Sequence, residues 1–477
     1  MLYCRCELQN THQHNKGRQM KRSRKDVVSK ATEIPELKFD DERLTSFAGL
    51  VVFQKLFDVL RLRKRLADCL RHQDSAKAFS PSRLFLQLIV HLILGYRELR
   101  HADYYRDDPL VKRVLGFKTM PDVATVCRML KSADERSVNN LKELLGEIVL
   151  KRCAEAGMRR ITLDFDGSVL STKRKAQGAA VGFNKKKKGA RSYYPLFCTL
   201  AQTGQVLDFL HRSGNVHDSN GAHDFILHCI KLVEIAIPGA IIEVRMDSAF
   251  FSDEIVSSLE NRGIEFSISV PFERFVKLKH LIDERQHWNS VDSMRDYFEL
   301  RWKPKSWRKD YRFMFVRTVA KKQQKGPVQL DLFEPYKFGF DFKVIITNKT
   351  LQAARLLDYH DGRGSQEGVF AELKSHCHME YIPVRTQSGN ATYLLAGLFA
   401  FNLTRELQMQ NQPPHRHTTS NRATLWVFEK VDTIRKTVVS RAGRLSRPGG
   451  KLTLTFCAGR SLKQRVEGFL DSLHNAA

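Results

Sequence analysis

The sequence contains no apolar run long enough to cross a membrane. Its longest apolar stretches, Leu84 to Leu94 and Tyr393 to Leu403, are shorter than the roughly 20 residues that a membrane helix needs, and both are expected to be buried helices. The start of the chain also lacks the charged, apolar and small-residue segments of a secretory signal. We therefore expect neither membrane insertion nor export.

Cysteines are few and follow no pattern. The nine cysteines are scattered, odd in number and mostly set in apolar surroundings, which is typical of reduced thiols in a cytoplasmic protein and excludes a disulfide framework. Cys4, Cys6, His12 and His14 are the nearest approach to a zinc site, but their spacing matches none of the usual structural zinc motifs. A cytoplasmic location is therefore expected.

Acidic residues are fewer than basic residues in this chain. The chain has 52 Asp and Glu against 79 Lys and Arg, which gives a formal net charge of +27. A hydrophobic fraction of 42% is that of a globular protein with a sizeable core. A basic globular chain without a membrane segment favours a polyanionic partner, and nucleic acid is the leading one.

The first third of the chain is helical by its apolar spacing. Residues 1–38 lack that spacing and are expected to form a basic disordered arm, in which Met20 is an alternative start. Residues 39–157 carry apolar residues at helical spacing, as in Phe53, Leu56 and Phe57, and are expected to form a helical DNA-binding domain. The helix that opens at Pro121 either reads DNA or packs in the core.

From residue 158 onward the apolar period changes to that of strands. The order strand, strand, strand, helix, strand predicts a mixed α/β sheet, whose first part spans residues 158–271. Alternating aromatic and basic residues predict a β-rich insertion at 272–348, after which the α/β domain resumes at 349–408. Residues 409–477 are expected to form a helical, basic C-terminal region.

Three aspartates lie where strands of this sheet are expected. Asp164 and Asp166 alternate along one strand and therefore point to the same face, whereas Asp247 ends a later apolar strand. Reactive groups gather at strand ends in α/β sheets, so we expect these carboxylates to meet there. A single aspartate at such a position is more typical of a turn or of the edge of a sheet. The combination of the three aspartates is what indicates a functional site.

A fourth acid lies on a predicted helix between two cations. Arg363, Glu367 and Lys374 occupy relative positions 0, 4 and 11, which places them on one helix face. This arrangement suits a phosphodiester, because the carboxylate can bind a metal ion while the two cations hold phosphate oxygens. The alternative is a surface salt bridge.

Carboxylates without a histidine or cysteine cage favour Mg²⁺, for which Mn²⁺ can substitute. Two such ions suit an in-line displacement at phosphorus, because one activates the attacking oxygen and the other stabilises the leaving oxygen. Asp166, Asp247 and Glu367 are therefore the candidate catalytic residues and metal ligands, with Asp164 as the alternative first ligand.

These segments resemble the DDE transposases of bacterial insertion sequences, in the subgroup with a β-rich insertion before the glutamate. The resemblance rests on Asp166-Gly167-Ser168, on the stretch from Arg245 to Phe250 and on the Arg-x3-Glu-x6-Lys spacing, and it covers about residues 40 to 460. It implies an RNase H-like catalytic domain and, for double-stranded DNA, cleavage at terminal inverted repeats and strand transfer into a target. It also implies a homodimer that brings two ends together.

Two features depart from that family pattern or leave it open. The tyrosine that usually stands three residues before the arginine is replaced by His360, and Tyr359 is one residue further away. The pattern of Asp followed by a small residue and Ser favours Asp166 over Asp164. A catalytically inactive DNA-binding protein derived from a transposase, and a nuclease that cuts without joining, are the alternative functions.

Two further groups are candidates for contact with DNA. A lysine-rich loop between two core strands either contacts phosphates or is merely solvated; its residues are Lys185, Lys186, Lys187, Lys188 and Arg191. The insertion holds three of the four tryptophans, which either stack on flipped bases, as an aromatic residue does in similar transposases, or pack in the core; these are Trp288, Trp302 and Trp307.

Overall fold

A computed structural model of the chain describes residues 32, 34–73, 79–182, 184, 187–217, 220–320, 339–416 and 425–475. Most of the expected N-terminal arm, including Cys4, Cys6, His12 and His14, lies outside these residues. The chain divides into two compact units, residues 1–42 and 43–477. Residues 34–41 of the first unit contain no helix or strand, and every element named below belongs to the second.

The described helices and strands follow the chain in this order. The helices are α1 Leu50–Val59, α2 Leu62–Leu70, α3 Pro81–Ile93, α4 Pro109–Leu115, α5 Val123–Ser132, α6 Glu135–Glu155, α7 Ala222–Ala236, α8 Asp253–Asn261, α9 Val276–Asp283, α10 Ala353–Asp361, α11 Ser365–His376, α12 Gln387–Asn411, α13 Val431–Ile434 and α14 Arg460–Asn475. The strands are β1 Leu44–Thr45, β2 Arg160–Gly167, β3 Leu170–Thr172, β4 Ala180–Val181, β5 Arg191–Tyr193, β6 Leu196–Leu200, β7 Val206–Leu210, β8 Ile241–Met246, β9 Glu265–Ser269, β10 Asn289–Ser290, β11 Arg295–Trp302, β12 Tyr311–Val319, β13 Phe340–Thr347, β14 Gly443–Ser446 and β15 Thr453–Phe456.

The two long apolar stretches are buried helices. One forms most of α3, and the other forms the middle of α12, which packs against α3, α5, α6 and α14. Every residue of α12 from Gly389 to Thr404 is buried, which is typical of a helix in the centre of a core. Within the described part of the chain, no helix is both long and apolar enough to span a bilayer.

The largest sheet has the strand order β10-β11-β12-β13-β9-β8-β2-β6-β7. β2, β6 and β7 form an antiparallel meander, and β8 and β9 run parallel to β2, with α7 before β8 and α8 before β9. This is the RNase H-like arrangement, and the expected fold class is confirmed. The two helices before β8 and β9 are the crossovers that parallel pairing requires.

The two faces of the central strands differ in polarity. Ile161, Leu163 and Phe165 of β2 share a core cluster with apolar residues of α7 and α8. Because side chains alternate along a strand, Thr162, Asp164 and Asp166 point to the opposite face. The sheet therefore has one apolar face under α7 and α8 and one face that carries polar and charged groups.

The β-rich insertion continues this sheet. β13 pairs antiparallel with β9, and β12, β11 and β10 follow outward in antiparallel order. The predicted strands near Tyr311 and Phe342 are therefore present. The boundaries proposed for the separate domains stay a prediction.

The C-terminal region contains strands that the sequence reading did not expect. β14 pairs with β1 and β15, which makes a small antiparallel sheet in a region expected to be helical. Gly449 and Gly450, between the two longer strands, have φ values of 58° and 81°, in the left-handed region that glycine adopts without strain. The Pro-Gly-Gly segment was thus the turn of a hairpin.

His360 packs α10 against the sheet as a neutral side chain. Its Nδ1 lies 2.6 Å from the Ser267 hydroxyl and its Nε2 lies 2.9 Å from the Ser269 hydroxyl, both on β9. Burial lowers the pKa of His360 to about 3 from an ordinary value of 6.5. The folded protein therefore resists protonation of this group, whereas the unfolded chain does not.

We expect the stability contributed by a neutral His360 to be complete above pH 6.5 and to be lost as the pH falls toward 3. Between these values the unfolded chain binds a proton that the folded protein excludes, so the free energy of unfolding falls by about 2 kcal/mol between pH 6.5 and 5 on account of this group. Urea unfolding of wild type and His360→Gln at both pH values measures the difference in pH dependence.

The control is His287→Gln, because the side chain of His287 is exposed in the folded protein and is in water in both states. It should follow the wild-type pH dependence. Equal pH dependence for wild type and His360→Gln would contradict the assignment of a neutral, buried imidazole.

Candidate active site

Asp166 and Asp247 lie beside each other at one edge of the sheet. β2 and β8 are parallel neighbours, and their last registered pair is Phe165 with Met246, directly before the two aspartates. The carboxyl ends of parallel strands meet at the same edge, which is where α/β proteins place their sites. The strand register therefore puts Asp166 and Asp247 at neighbouring positions, and a joint role for the two carboxylates stays a prediction.

Backbone N–H groups orient both carboxylates. The amide of Gly167 donates to Oδ1 of Asp166 at 2.7 Å. The amide of Ala249 donates to Oδ1 of Asp247 at 2.9 Å, so Asp247 caps the short helical turn Ser248–Phe250. Each carboxylate is thus held by a local hydrogen bond that leaves its second oxygen to other partners.

The helical turn with Arg363 contacts this edge. Arg363 lies in a tight helical turn, Gly362–Gly364, that joins α10 to α11, and its Nη1 is 3.7 Å from Oδ2 of Asp166. Glu367 lies in the first turn of α11 and is exposed. Lys374, near the end of α11, pairs with Glu380 at 3.6 Å. The structure therefore brings Arg363 to Asp166 and leaves Glu367 open to solvent.

Asp164 has a different environment from Asp166. Its side chain is 1% exposed, and both of its oxygens accept hydrogen bonds at 2.7 Å from the guanidinium of Arg245. Burial raises the pKa of Asp164, and the charge and hydrogen bonds of Arg245 oppose that shift. The carboxylate is thus occupied by a buried arginine within the sheet.

Of the two residues that break the family pattern, His360 is buried, and Tyr359 is half-buried with its hydroxyl enclosed. The Tyr359 ring contacts two cations, with Nζ of Lys349 at 4.5 Å and Cζ of Arg245 at 5.2 Å from its centroid. His360 bridges two hydroxyls of β9, as described above. Neither side chain therefore takes the exposed position that a phosphate contact requires.

A second charged network lies on the same polar face, and the sequence reading missed it. Nζ of Lys349 is 2.7 Å from Oε1 of Glu243, and Arg160 is within ion-pair distance of both Glu243 and Glu265. Thr162 also donates to Glu243, at 2.6 Å. The available signal was the presence of acids and bases at alternate positions of otherwise apolar strands.

The lysine-rich segment is only partly a loop. Lys187 and Lys188 are exposed, whereas Lys185 and Lys186 lie outside the described residues. Arg191 begins β5 and donates to the carbonyl of Ala179 at 3.2 Å. β5 pairs with β3 and β4 in a small sheet that follows β2 in the chain, where the sequence reading expected an unstructured connection.

The three tryptophans pack against aromatic neighbours. Trp307 is 7% exposed and stacks on Phe251 with ring centroids 4.8 Å apart. Trp302 packs edge-on against Phe313, and Trp288 packs edge-on against Phe298; both are half-buried. Trp307 is therefore a core residue, and the other two retain exposed surface.

The acids at this edge suit a divalent cation by their chemistry. Asp166, Asp247 and Glu367 offer only carboxylate oxygens, which hard ions such as Mg²⁺ and Mn²⁺ prefer. Two of the three lie at neighbouring strand ends, and the third lies on the segment that contacts Asp166 through Arg363. Among the described residues, no three acidic, histidine or cysteine side chains converge closely enough to form a metal cluster.

Comparison with known proteins places the chain in one family. The family model described as "Transposase DDE domain group 1" matches residues 29–477. No curated protein matches. Among solved structures, a piggyBac transposase synaptic complex with hairpin DNA matches with 10% identity and a TM-score of 0.38, over 78% of this chain and 77% of that one. A Mos1 transposase paired-end complex with the left transposon end matches with 10% identity and a TM-score of 0.18, over 40% and 61%. The family match spans nearly all of the chain, which therefore belongs to the DDE transposases.

Proposed function

We propose that the protein cleaves DNA at the terminal inverted repeats of its own element and joins the freed ends to target DNA. The observation that carries this proposal is the side-by-side placement of Asp166 and Asp247 at parallel strand ends, facing the Arg363–Glu367 segment, in a chain of the DDE transposase family. Membership of the family supports a DNA-cleaving enzyme, and the site supports the chemistry below.

In this proposal, Asp166, Asp247 and Glu367 hold two Mg²⁺ ions, and Mn²⁺ can replace them. When bound, the ions supply Lewis-acid stabilisation of the attacking and leaving oxygens in an in-line displacement. We assign the first ligand to Asp166 rather than Asp164. Support comes from the hydrogen bonds of Arg245 to both Asp164 oxygens and from the contact between Asp166 and Arg363.

Arg363 and Lys374 bind phosphate in this proposal. Arg363 now lies 3.7 Å from the Asp166 carboxylate, a distance at which its charge offsets that of the acid without a tight hydrogen bond. A DNA phosphate at the site offers the planar guanidinium a two-pronged contact with oxygens, which is stronger. Lys374 supplies a second, less directional charge about two turns after Glu367 along α11.

We place the duplex across the basic and aromatic groups around this edge. Lys185, Lys186, Lys187, Lys188 and Arg191 contact phosphates without reading sequence, since such contacts carry position rather than base identity. Of the tryptophans, Trp288 and Trp302 keep exposed surface and are the candidates for stacking on an unpaired base. A homodimer holds the two transposon ends in one synaptic complex.

We expect Asp247→Asn and Glu367→Gln each to reduce cleavage and joining by on the order of 10³-fold or more, because each removes one charged ligand while nearly keeping its shape. The measurement is strand cleavage and transfer, with Mg²⁺, on a labelled DNA fragment that carries the ends of the element. Glu254→Gln is the matched control, because Glu254 is an exposed acid on α8, seven residues after Asp247.

The products separate the rival functions. Joined products that depend on metal and vanish in both variants support the transposase. Cleaved but never joined DNA indicates a nuclease, and specific binding without cleavage in Mg²⁺ or Mn²⁺ indicates a DNA-binding protein; either result contradicts the proposal.

We expect the double variant Lys187→Gln/Lys188→Gln to bind DNA of every sequence more weakly and to lower the steepness of the salt dependence. The loss of two phosphate contacts reduces the slope of log K against log salt concentration by about 1.8. Fluorescence anisotropy between 50 and 200 mM salt measures the slope.

The charge-matched control is Lys151→Gln/Lys463→Gln, in which both lysines lie in helices and pair with acids four residues later. This variant should keep the wild-type slope. If the two double variants have the same slope, the lysine-rich segment makes no particular contact with phosphates.

A further inference from the structure

One buried ion pair lies directly behind the two strand-end aspartates. Asp164 precedes Asp166 by two residues on β2, and Arg245 precedes Asp247 by two residues on β8. Nε and Nη2 of Arg245 donate to the two oxygens of Asp164, each at 2.7 Å. This parallel, two-pronged geometry fixes the guanidinium plane, because the side chains are 7% and 1% exposed and have no room to rotate.

The same pair holds the segment that carries Arg363 and Glu367. The remaining terminal nitrogen of Arg245, Nη1, donates to the carbonyl of Tyr359 at 2.7 Å. On the other side of the turn, Nε2 of Gln366 donates to the backbone carbonyl of Asp164 at 3.1 Å. The pair thus contacts the segment both before and after Arg363.

The turn comes so close to the guanidinium that a side chain does not fit. A Cβ atom added to Gly362 would lie 2.3 Å from Nη1 of Arg245. The backbone of Gly362 has φ −55° and ψ −19°, values that any residue adopts, so space alone requires glycine there. Gly364, two residues later in the same turn, has φ −57° and no atom within 4 Å of an added Cβ.

We propose that Asp164 and Arg245 are positioning residues, which set the place of the Gly362–Gly364 turn and thereby hold Arg363 beside Asp166 and fix where α11, with Glu367 in its first turn, begins. The inference rests on the proposed function, because it assigns a purpose to the pair only if Arg363 and Glu367 act together with the two strand-end aspartates. The proposal adds Asp164, Arg245 and Gly362 to the site, and none of these three residues contacts DNA in it.

The contacts of this pair favour positioning over stability alone. A buried ion pair is a poor source of stability, since apolar residues of similar volume often replace one without loss. Here the third nitrogen of Arg245 donates to the Tyr359 carbonyl rather than to a second acid. The hydroxyl of Tyr359 and Oε1 of Gln366 are buried without a hydrogen bond in the described part of the chain. The contacts of Arg245 and of the Gln366 amide therefore act on this turn together with the hydrogen bonds of His360 to β9.

The test compares Gly362→Ala with Gly364→Ala, which add the same methyl group to the same turn. We expect Gly362→Ala to slow end cleavage at saturating DNA by about 10-fold or more and to weaken the binding of Mn²⁺, measured without DNA from the electron paramagnetic resonance signal of the free ion. The crowded methyl group should lower the thermal unfolding midpoint without unfolding the protein at the assay temperature, and DNA affinity should change little. Gly364→Ala should match wild type in every measurement.

A second comparison tests the same contact by changing Arg245 itself, so that it also decides the case in which Arg245 moves away from the added methyl group. Lysine has no group at the position of Nη1 and cannot form the two-pronged contact with Asp164, so Arg245→Lys should itself slow cleavage. In the Arg245→Lys background, Gly362→Ala should have little further effect, because the atom that it displaces is gone. This loss of additivity is not expected of two independent structural defects.

The outcomes distinguish the inference from the proposed function. Equal cleavage rates and equal Mn²⁺ affinities for Gly362→Ala and Gly364→Ala would overturn the positioning role while leaving the transposase intact. Additive effects of Gly362→Ala and Arg245→Lys would overturn it as well. If wild type itself does not cleave, the proposed function fails, and the Mn²⁺ affinities of the two alanine variants still decide whether the turn positions the carboxylates.

Discussion

The guanidinium of Arg245 joins the two strands that carry Asp166 and Asp247 to the helical turn opposite them. It is buried on a sheet face where charge is tolerated only if each donor and acceptor finds a partner. That requirement explains why this face differs from the apolar face under α7 and α8, and why so close an approach needs Gly362. Strand register puts Asp166 and Asp247 at neighbouring positions. The ion pair between Asp164 and Arg245 then determines how closely the Gly362–Gly364 turn packs on this face of the sheet.

The distribution of charge separates structural cations from those open to a partner. In the insertion, Arg301, Arg312 and Arg317 each pair with a carboxylate on a neighbouring strand or loop. Such pairs hold strands in register and leave little net charge for a polyanion. Lys187 and Lys188 are exposed on the segment between β4 and β5, and Lys303, Lys305 and Arg308 are exposed in the insertion, so both segments offer positive charge to a polyanion.

Local patterns predicted the elements and the partners that lie along one strand or helix. Alternation and helical spacing predicted the order of strands and helices, and the resemblance to DDE transposases implied the RNase H-like fold. Parallel pairing of β2 with β8 accounts for the neighbouring positions of Asp166 and Asp247. The partner of Asp164 lies 81 residues away, and nothing in a single sequence assigns Arg245 to it. The same limit hid the pairing of β14 with β1, and composition alone did not distinguish the core residue Trp307 from a base-stacking one.

The most direct test of the account is whether Asp166, Asp247 and Glu367 hold metal together. Fe²⁺ bound in place of Mg²⁺, with ascorbate and peroxide, cleaves the protein backbone beside its own ligands, and mass spectrometry locates the breaks. The account predicts breaks near residues 166, 247 and 367 that excess Mg²⁺ suppresses together. Breaks at one of these positions only, or at acids elsewhere in the chain, would contradict it.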